Sequence, residues 1–559
     1  MFDGLIPRVC EASQVGRLAF FVGAGISRPS QLPVSSQIID ACIAQLLQKT
    51  HYDLSCKSLF PDDFGRTLRL EYFCRCLSVV NEKTSLLPLR FLAGGEPSIF
   101  HYFLAACARS GVARFIVTTN FDVLIEKAFD ELQVSHQVLW SEKHFSDFST
   151  DTRQVTLLKV HGTLDRRSHQ PLAGILADIR SVGKGFSESR SRALQAVAQK
   201  FNLLFLGYSG RDYFGAMPAL VSCQPLPICW VNHSPTRSET NLVVRNWVVK
   251  STGGIYLDAD TSEVVDGLCS QLGIEIPRGT RRGGPPRVYF ADGFSDLERP
   301  FALTYLFSRD KRNKAIIVNN SFRECEQIFL RSKEADRLLF ARLYLEWVRT
   351  FERLGKTSNV YEEAIKTLAK AEPLAAGDPH TLTDIQVARC DIEYCLRYGL
   401  GASGIDYLPL IDMLIDQCRP FEDPMLLSRA YCAQARICAN SVTPQEYGYS
   451  MALESYNRAV EVLEPLGAQD VLPIIYFDQF RLANTLGLLG EAARAIVACL
   501  RGALLLAESP YADWVLGILG YVSLVLSDRR YGNQRDWIAE QLTLLGLDPE
   551  EISHRRERP

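Results

Sequence analysis

Phe20-Phe21-Val22-Gly23-Ala24-Gly25-Ile26-Ser27 decides how the first half of the chain is read. An unbroken apolar run is the pattern of a strand covered on both faces of a parallel sheet, and here it gives way to two glycines around an alanine. Glycine at 23 and 25 lets the backbone turn sharply and leaves amide groups open to a pyrophosphate that a Cβ would shield. The pattern points to a dinucleotide at the end of a buried strand. It departs from the usual dinucleotide fingerprint, because Ser27 stands after Ile26 where a third glycine would come. Nor does an acidic residue follow about 20 positions on at a strand end to hold a ribose. A standard dehydrogenase is disfavoured, and a strand-to-helix turn without a ligand is the competing account.

Further along, Arg114-Phe115-Ile116-Val117-Thr118-Thr119-Asn120-Phe121-Asp122 is again a β-branched apolar run ending in polar residues. Asn120 and Asp122 lie two apart at the expected C-terminal end of a strand, where an amide and a carboxylate can face a ribose. Helix capping by either residue is the alternative, since Val123-Leu124-Ile125-Glu126 follows. Val155-Thr156-Leu157-Leu158-Lys159-Val160-His161-Gly162 delivers a histidine at the next strand end. Imidazole titrates near neutral pH, so His161 can accept a proton from a sugar hydroxyl or a water, or can simply be structural. Leu203-Leu204-Phe205-Leu206-Gly207-Tyr208-Ser209-Gly210-Arg211-Asp212 is a further buried strand whose small residues form a phosphate or ribose ledge. Asp212 can cap a helix beginning near Tyr213. Leu226-Pro227-Ile228-Cys229-Trp230-Val231-Asn232 ends on an amide suited to a second ribose.

Taken in order, Gly-Ala-Gly-Ile-Ser, Thr-Thr-Asn-Phe-Asp, Lys-Val-His-Gly, Gly-Tyr-Ser-Gly-Arg-Asp and Val-Asn resemble the sirtuin family, and within it the prokaryotic sirtuin-like branch. The resemblance covers roughly residues 15 to 275 and implies a Rossmann-like α/β domain, with a mostly parallel sheet, that binds NAD at its strand ends. It implies that His161 is the catalytic base and that Asn120 and Asp122 lie around the nicotinamide ribose. It also implies that Gly23, Ala24, Gly25 and Ser27 hold phosphates and that Gly207, Ser209 and Asn232 lie on the adenosine side; Thr119 and Asp212 are expected among the cofactor-binding residues.

Two departures from the deacylating members shape the expected reaction. Those members carry a four-cysteine zinc module after the catalytic histidine, and the stretch from Gly162 to Gly207 contains no cysteine. Zinc needs about four closely spaced ligands, and the nearby Cys74 and Cys76 read as core positions, so no metal site is expected. The acid, aromatic and arginine that follow the glycine turn in deacylases are also missing, since Leu32-Pro33 leads into Val34-Ser35-Ser36-Gln37. Hydrolysis of NAD to nicotinamide and ADP-ribose is then the simplest expected reaction. A protein deacylase or ADP-ribosyltransferase using the same pocket, or a non-catalytic sensor of NAD or ADP-ribose, are the alternatives.

At 559 residues the chain is too long for one core. Hydrophobic content of 47%, charged content of 22% and a net charge of -3 give no basic field, so nucleic acid is not an expected partner. The start, Met1-Phe2-Asp3-Gly4, has no basic segment or apolar signal core, and no apolar stretch reaches about 18 residues, so a cytoplasmic protein without a membrane span is expected. The 16 cysteines are scattered mostly singly in apolar stretches, which fits reduced core thiols.

Ile276-Pro277-Arg278-Gly279-Thr280-Arg281-Arg282-Gly283-Gly284-Pro285-Pro286-Arg287 breaks the apolar periodicity. The expected division is a catalytic domain over 1–276, a linker over 277–299 and an α-helical domain over 300–559. Echoes at Tyr361-Glu362-Glu363-Ala364-Ile365-Lys366-Thr367-Leu368, Ala452-Leu453-Glu454-Ser455-Tyr456-Asn457-Arg458-Ala459 and Glu491-Ala492-Ala493-Arg494-Ala495-Ile496 suit closely packed helix pairs. With Leu486-Gly487-Leu488-Leu489-Gly490-Glu491-Ala492 they resemble a degenerate tetratricopeptide array, though without a strict period of about 34. Such an array offers a concave face to a protein trigger or partner. A plain helical domain that makes the chain a homo-oligomer is the other account. Prokaryotic proteins of this architecture act in abortive-infection defence against phage, which is what the resemblance implies here.

Overall fold

The five strand runs identified above and two further strands, β3 and β7, assemble, in a computed structural model, into one seven-stranded sheet with order β3-β4-β2-β1-β5-β6-β7, every neighbouring pair parallel. The structure describes residues 4–49, 69–166, 171–172, 174–177, 179–210, 212, 215–233, 242–277, 288–309, 315–332, 336–351, 357–399, 407–441, 445–468, 471–506, 513–545 and 547–553. Arg211, Tyr213 and residues 278–287 of the expected linker lie outside the described residues. The strands are β1 (Leu18–Val22), β2 (Phe115–Thr118), β3 (His136–Leu139), β4 (Val155–Lys159), β5 (Asn202–Leu206), β6 (Cys229–His233) and β7 (Ile255–Ala259).

Parallel pairing forces each strand to return through a crossover, which puts helices on both faces and buries both sides of the central strands. Alternate side chains accordingly feed two separate cores. Phe20, Val22, Ile116, Leu157, Leu204 and Leu206 pack on one face with the helices Leu5–Gln14, Ile99–Arg109 and Thr261–Leu272. Ala19, Phe21, Phe115, Val117, Leu158 and Phe205 pack on the other with the helices Glu188–Lys200 and Ala216–Val221. On this second face Phe21 stacks on Phe205 at 4.6 Å and Phe205 on Trp230 at 4.3 Å between ring centroids, tying β1, β5 and β6 together. The expected Rossmann-like fold is what the chain forms.

From β1 the chain moves to β2, β3 and β4 on one flank and only then crosses to β5 on the other. The ends of β1 and β5 are therefore the topological switch point, where open parallel sheets hold ligands. Their two turns touch through backbone alone. Gly23 N–H donates to Leu206 O at 3.2 Å and Gly25 N–H to Gly207 O at 2.9 Å. A Cβ on Gly23 or Gly25 would stand 2.7 Å from Gly207 backbone atoms, and one on Gly207 would stand 2.6 Å from the Ile26 nitrogen. Gly207 also has φ +64°, in the left-handed region.

Contacts divide the chain into two compact units: Met1–Ile38 with Leu86–Val288 and Asp536–Pro559, and Ile39–Ser85 with Tyr289–Arg535. The second unit is a region of many helices. Consecutive ones pack as pairs, among them Pro424–Ser441 on Gln445–Leu463 and Leu472–Thr485 on Leu489–Leu506. Small buried residues permit the close approach: Ala433, Ala435, Ala452, Ala459 and Ala492 are each at most 1% exposed. A ladder of charges runs across the helices, with Arg349 donating twice to Asp384 at 2.9 and 2.8 Å and Arg429 reaching the same carboxylate. Burial works against the Asp384 anion, but the two guanidiniums outweigh it and hold the carboxyl at about 2. Among the described residues no helix is long and apolar enough to cross a membrane.

Gly207→Ala is expected to lower the unfolding free energy by about 3 kcal/mol, since it meets both the left-handed strain and a backbone clash. Gly273→Ala, at φ +63° but with open space around the added carbon, is expected to cost about 1 kcal/mol in the same denaturant titration. Equal losses would remove the role assigned to the touching turns.

Candidate active site

The expected site residues fall into three groups along the C-terminal edge of the sheet. The first is centred on Ser27, in the 3-10 helix Ala24–Ser30 that follows the β1 turn. Ser27 is 4% exposed, and its hydroxyl donates to Asp122 Oδ2 at 2.9 Å while accepting from Asn120 Nδ2 at 3.1 Å. Asn120 Nδ2 also lies 3.3 Å from Gly23 O, so the amide of β2's end is clamped onto the β1 turn. The amide's other end is unsatisfied: Asn120 Oδ1 is buried and has no hydrogen-bond partner. Asp122 takes the capping role read from the sequence, because Oδ1 accepts from Leu124 N–H at 3.1 Å at the start of the helix Leu124–Glu131, while Oδ2 accepts from Ser27. Behind this turn the fully buried Lys159 ammonium donates to Glu126 Oε1 at 2.9 Å and to the Asp122 carbonyl.

His101 completes the group and was not among the residues singled out from the sequence. It sits in the helix Ile99–Arg109 with its Nε2 at 3.3 Å from Ser27 Oγ. Ser98 N–H donates to its Nδ1 at 2.9 Å, which makes Nδ1 the acceptor and leaves the ring proton on Nε2, toward Ser27. Burial pushes the His101 ring down to about 3, with Glu126 only partly opposing, so the ring is neutral. A lone polar residue in the otherwise apolar Ile99-Phe100-His101-Tyr102-Phe103 is the signal that marks it.

The second group holds His161. Its Nε2 lies 2.8 Å from Asp212 Oδ2, and its ring meets Phe186 edge-on at 5.6 Å. Asp212 was expected as a cap and among the residues that bind the cofactor. It does cap, accepting from Gly215 N–H at 2.9 Å and Ala216 N–H at 2.8 Å, but its carboxylate is turned to His161. Burial raises its pKa, yet His161 and the two amides outweigh that and hold the carboxyl below the usual range. Arg190, 1% exposed, donates to Val160 O and Gly174 O at 2.9 Å each and pairs with Glu142 at 2.6 Å. It fixes the strand end that carries His161, and nothing in the pattern of its helix announced it.

The third group lies across the switch point. Gly207 is half-buried, Ser209 is exposed, and Asn232 Nδ2 donates to Asp258 Oδ1 at 2.8 Å between register partners of β6 and β7. Thr119 N–H donates to Val22 O at 3.3 Å, while Ala24 is exposed beside the glycine turn. Cys74 and Cys76 are buried in the helix Leu70–Val80. Among the described residues no group of three or more His, Cys, Asp or Glu is placed to hold a metal ion.

A family model described as a SIR2-like domain matches residues 114–214. The match runs from the start of β2 past the end of β5, and so contains Asn120, Asp122, His161, Gly207, Ser209 and Asp212. The chain thus carries a SIR2-like domain; such domains bind NAD, and their family is one of NAD-utilising enzymes. No curated protein matches the chain.

His101 imposes a pH dependence on folding. Above its ordinary value of 6.5 the ring is neutral in folded and unfolded chains alike and contributes nothing. Below 6.5 the unfolded chain takes up a proton that the folded ring refuses down to about 3, so stability declines as pH falls through that window. The slope approaches about 1.4 kcal/mol per pH unit, and His101→Gln is expected to flatten it by about that amount in chemical denaturation between roughly pH 6 and pH 4.5. An unchanged slope in the variant would show that the ring is not held neutral.

Proposed function

We propose that the strand-end site hydrolyses NAD to nicotinamide and ADP-ribose. The observation that carries this reading is the orphaned Asn120 Oδ1: a buried acceptor clamped by its own Nδ2 onto Gly23 O and Ser27. A buried carbonyl oxygen without a donor costs free energy, which a sugar hydroxyl bound at this strand end would recover. The residues fit the substrate. Asn120 takes a hydroxyl of the nicotinamide ribose, and the exposed edge of the β1 and β5 turns takes the pyrophosphate.

In this reading the bond from ribose C1′ to nicotinamide breaks with both electrons leaving on nicotinamide. The Asp122 carboxylate is the nearby negative charge for the oxocarbenium-like ribose that remains. His161 removes a proton from the attacking water, whose oxygen forms the new bond to C1′. No zinc enters this chemistry. We further propose that the helical region, as a tetratricopeptide-like array, restrains the activity until a protein trigger or a change of oligomeric state releases it. An unrestrained hydrolase would drain a cytoplasmic NAD pool, and a role in abortive-infection defence against phage follows from that and from the resemblance.

Purified wild-type protein given NAD, with candidate triggers present, is expected to release nicotinamide and ADP-ribose in equal amounts. Asn120→Ala and His161→Ala are each expected to slow release by about 100-fold or more. Full turnover by either variant would overturn the assignment, and acetyl-peptide-dependent release of nicotinamide would move the site to acyl transfer.

A further inference from the structure

Asp212 makes more of its carboxylate than a cap requires. Oδ1 accepts from Gly215 N–H at 2.9 Å, and Oδ2 accepts from Ala216 N–H and faces His161 Nε2, both at 2.8 Å. Three of the roughly four lone-pair positions of a carboxylate are thereby filled from within the protein, which leaves little for a ribose or any other hydroxyl. The surroundings are shaped around this contact. A Cβ on Gly215 would stand 2.6 Å from Phe186 Cε1 and 2.9 and 3.0 Å from the two Asp212 oxygens, so only glycine lets the backbone wrap the carboxylate. On the histidine's side, Gly162 has φ +91° and would drive a Cβ to 2.8 Å from the Ile175 Cα, which fixes the chain direction just after the ring. Phe186 closes on the ring edge at 5.6 Å. Side-chain exposures of 15% for His161 and 11% for Asp212 keep most water from the pair.

We propose that Asp212 is a positioning residue: it accepts the His161 Nε2 proton, fixes that tautomer, and leaves Nδ1 as the atom that takes the proton in glycosidic cleavage. The inference rests on the reading of the site as an NAD hydrolase. An anionic Asp212 can only accept, so the Nε2 that faces it carries hydrogen and the lone pair lies on Nδ1. When water attacks C1′ and nicotinamide leaves with the bond electrons, the water's proton passes to Nδ1. The imidazolium so formed is stabilised by the carboxylate on its far side, which itself stays unprotonated.

The tautomer is measured first, because it needs no turnover. Nitrogen-15 NMR of histidine-labelled wild-type protein, with the His161 signals assigned by their loss in His161→Gln, is expected to show the proton on Nε2. A proton on Nδ1, or the two tautomers in comparable amounts, would overturn the proposal. Asp212→Asn keeps a capping oxygen for the helix start and is expected to move the proton to Nδ1, because the side-chain amide would donate to Nε2. Its kcat for NAD is expected to fall by about 100-fold or more, with KM within about threefold and Tm close to wild type. A raised KM with kcat retained would instead make Asp212 a substrate ledge and end the proposal. Were the wild type, assayed with the same candidate triggers, to turn NAD over no faster than His161→Ala, the hydrolase reading would fail, and with it the catalytic part of this inference; the NMR result would still decide the pairing.

Discussion

The approach of two turns at the middle of the sheet is the constraint on which the rest depends. The ends of β1 and β5 meet through Gly23, Gly25 and Gly207 with no room for a single Cβ among them. Because β1 lies between β2 and β5, this contact fixes where the β1 turn stands relative to both flanks. Gly23 O and Ser27 then present themselves to Asn120 from β2, and Asp122 follows through the Ser27 hydroxyl. On the other flank Gly207 begins the loop that carries Asp212 to His161. A fault at the glycines would therefore be felt in each polar group of the strand-end site.

Behind the site, charge is buried in complementary pairs. Lys159 and Glu126 are almost fully enclosed, and the lysine's further donation to the Asp122 carbonyl ties the pair to the 120–122 turn. Pairs of this kind contribute little net stability over apolar packing, yet losing one partner costs about 3 to 5 kcal/mol because the other is stranded. They hold a defined geometry, as Arg190 does for the end of β4. In the helical unit the Arg349, Asp384 and Arg429 ladder fixes helix against helix by the same means.

Much of this was legible from the chain itself. Runs such as Phe115-Ile116-Val117 and Leu203-Leu204-Phe205-Leu206 have the composition of strands buried on both faces, and small or polar residues cut each one short at the C-terminal edge of the sheet. That is why Asn120, Asp122 and His161 could be picked out by position. The glycines were legible as a turn, but their packing against Gly207 was not, since it joins positions more than 180 residues apart. His101 was hidden because Ser27, the hydroxyl its Nε2 meets, comes from a distant segment of the chain. Asp212 was visible as a cap, which it is; its turn toward His161 depends on the path of the loop and on Gly215, which no local pattern encodes.

Geometry with a slowly reacting substrate mimic tests the account most directly. In a crystal structure of the protein with a carbocyclic NAD analogue that resists cleavage, the nicotinamide ribose is predicted to sit at the end of β2 with a hydroxyl donating to Asn120 Oδ1 and the pyrophosphate over the β1 and β5 turns. An analogue bound away from Asn120, or lying with its adenosine there and its nicotinamide on the β6 side, would contradict it.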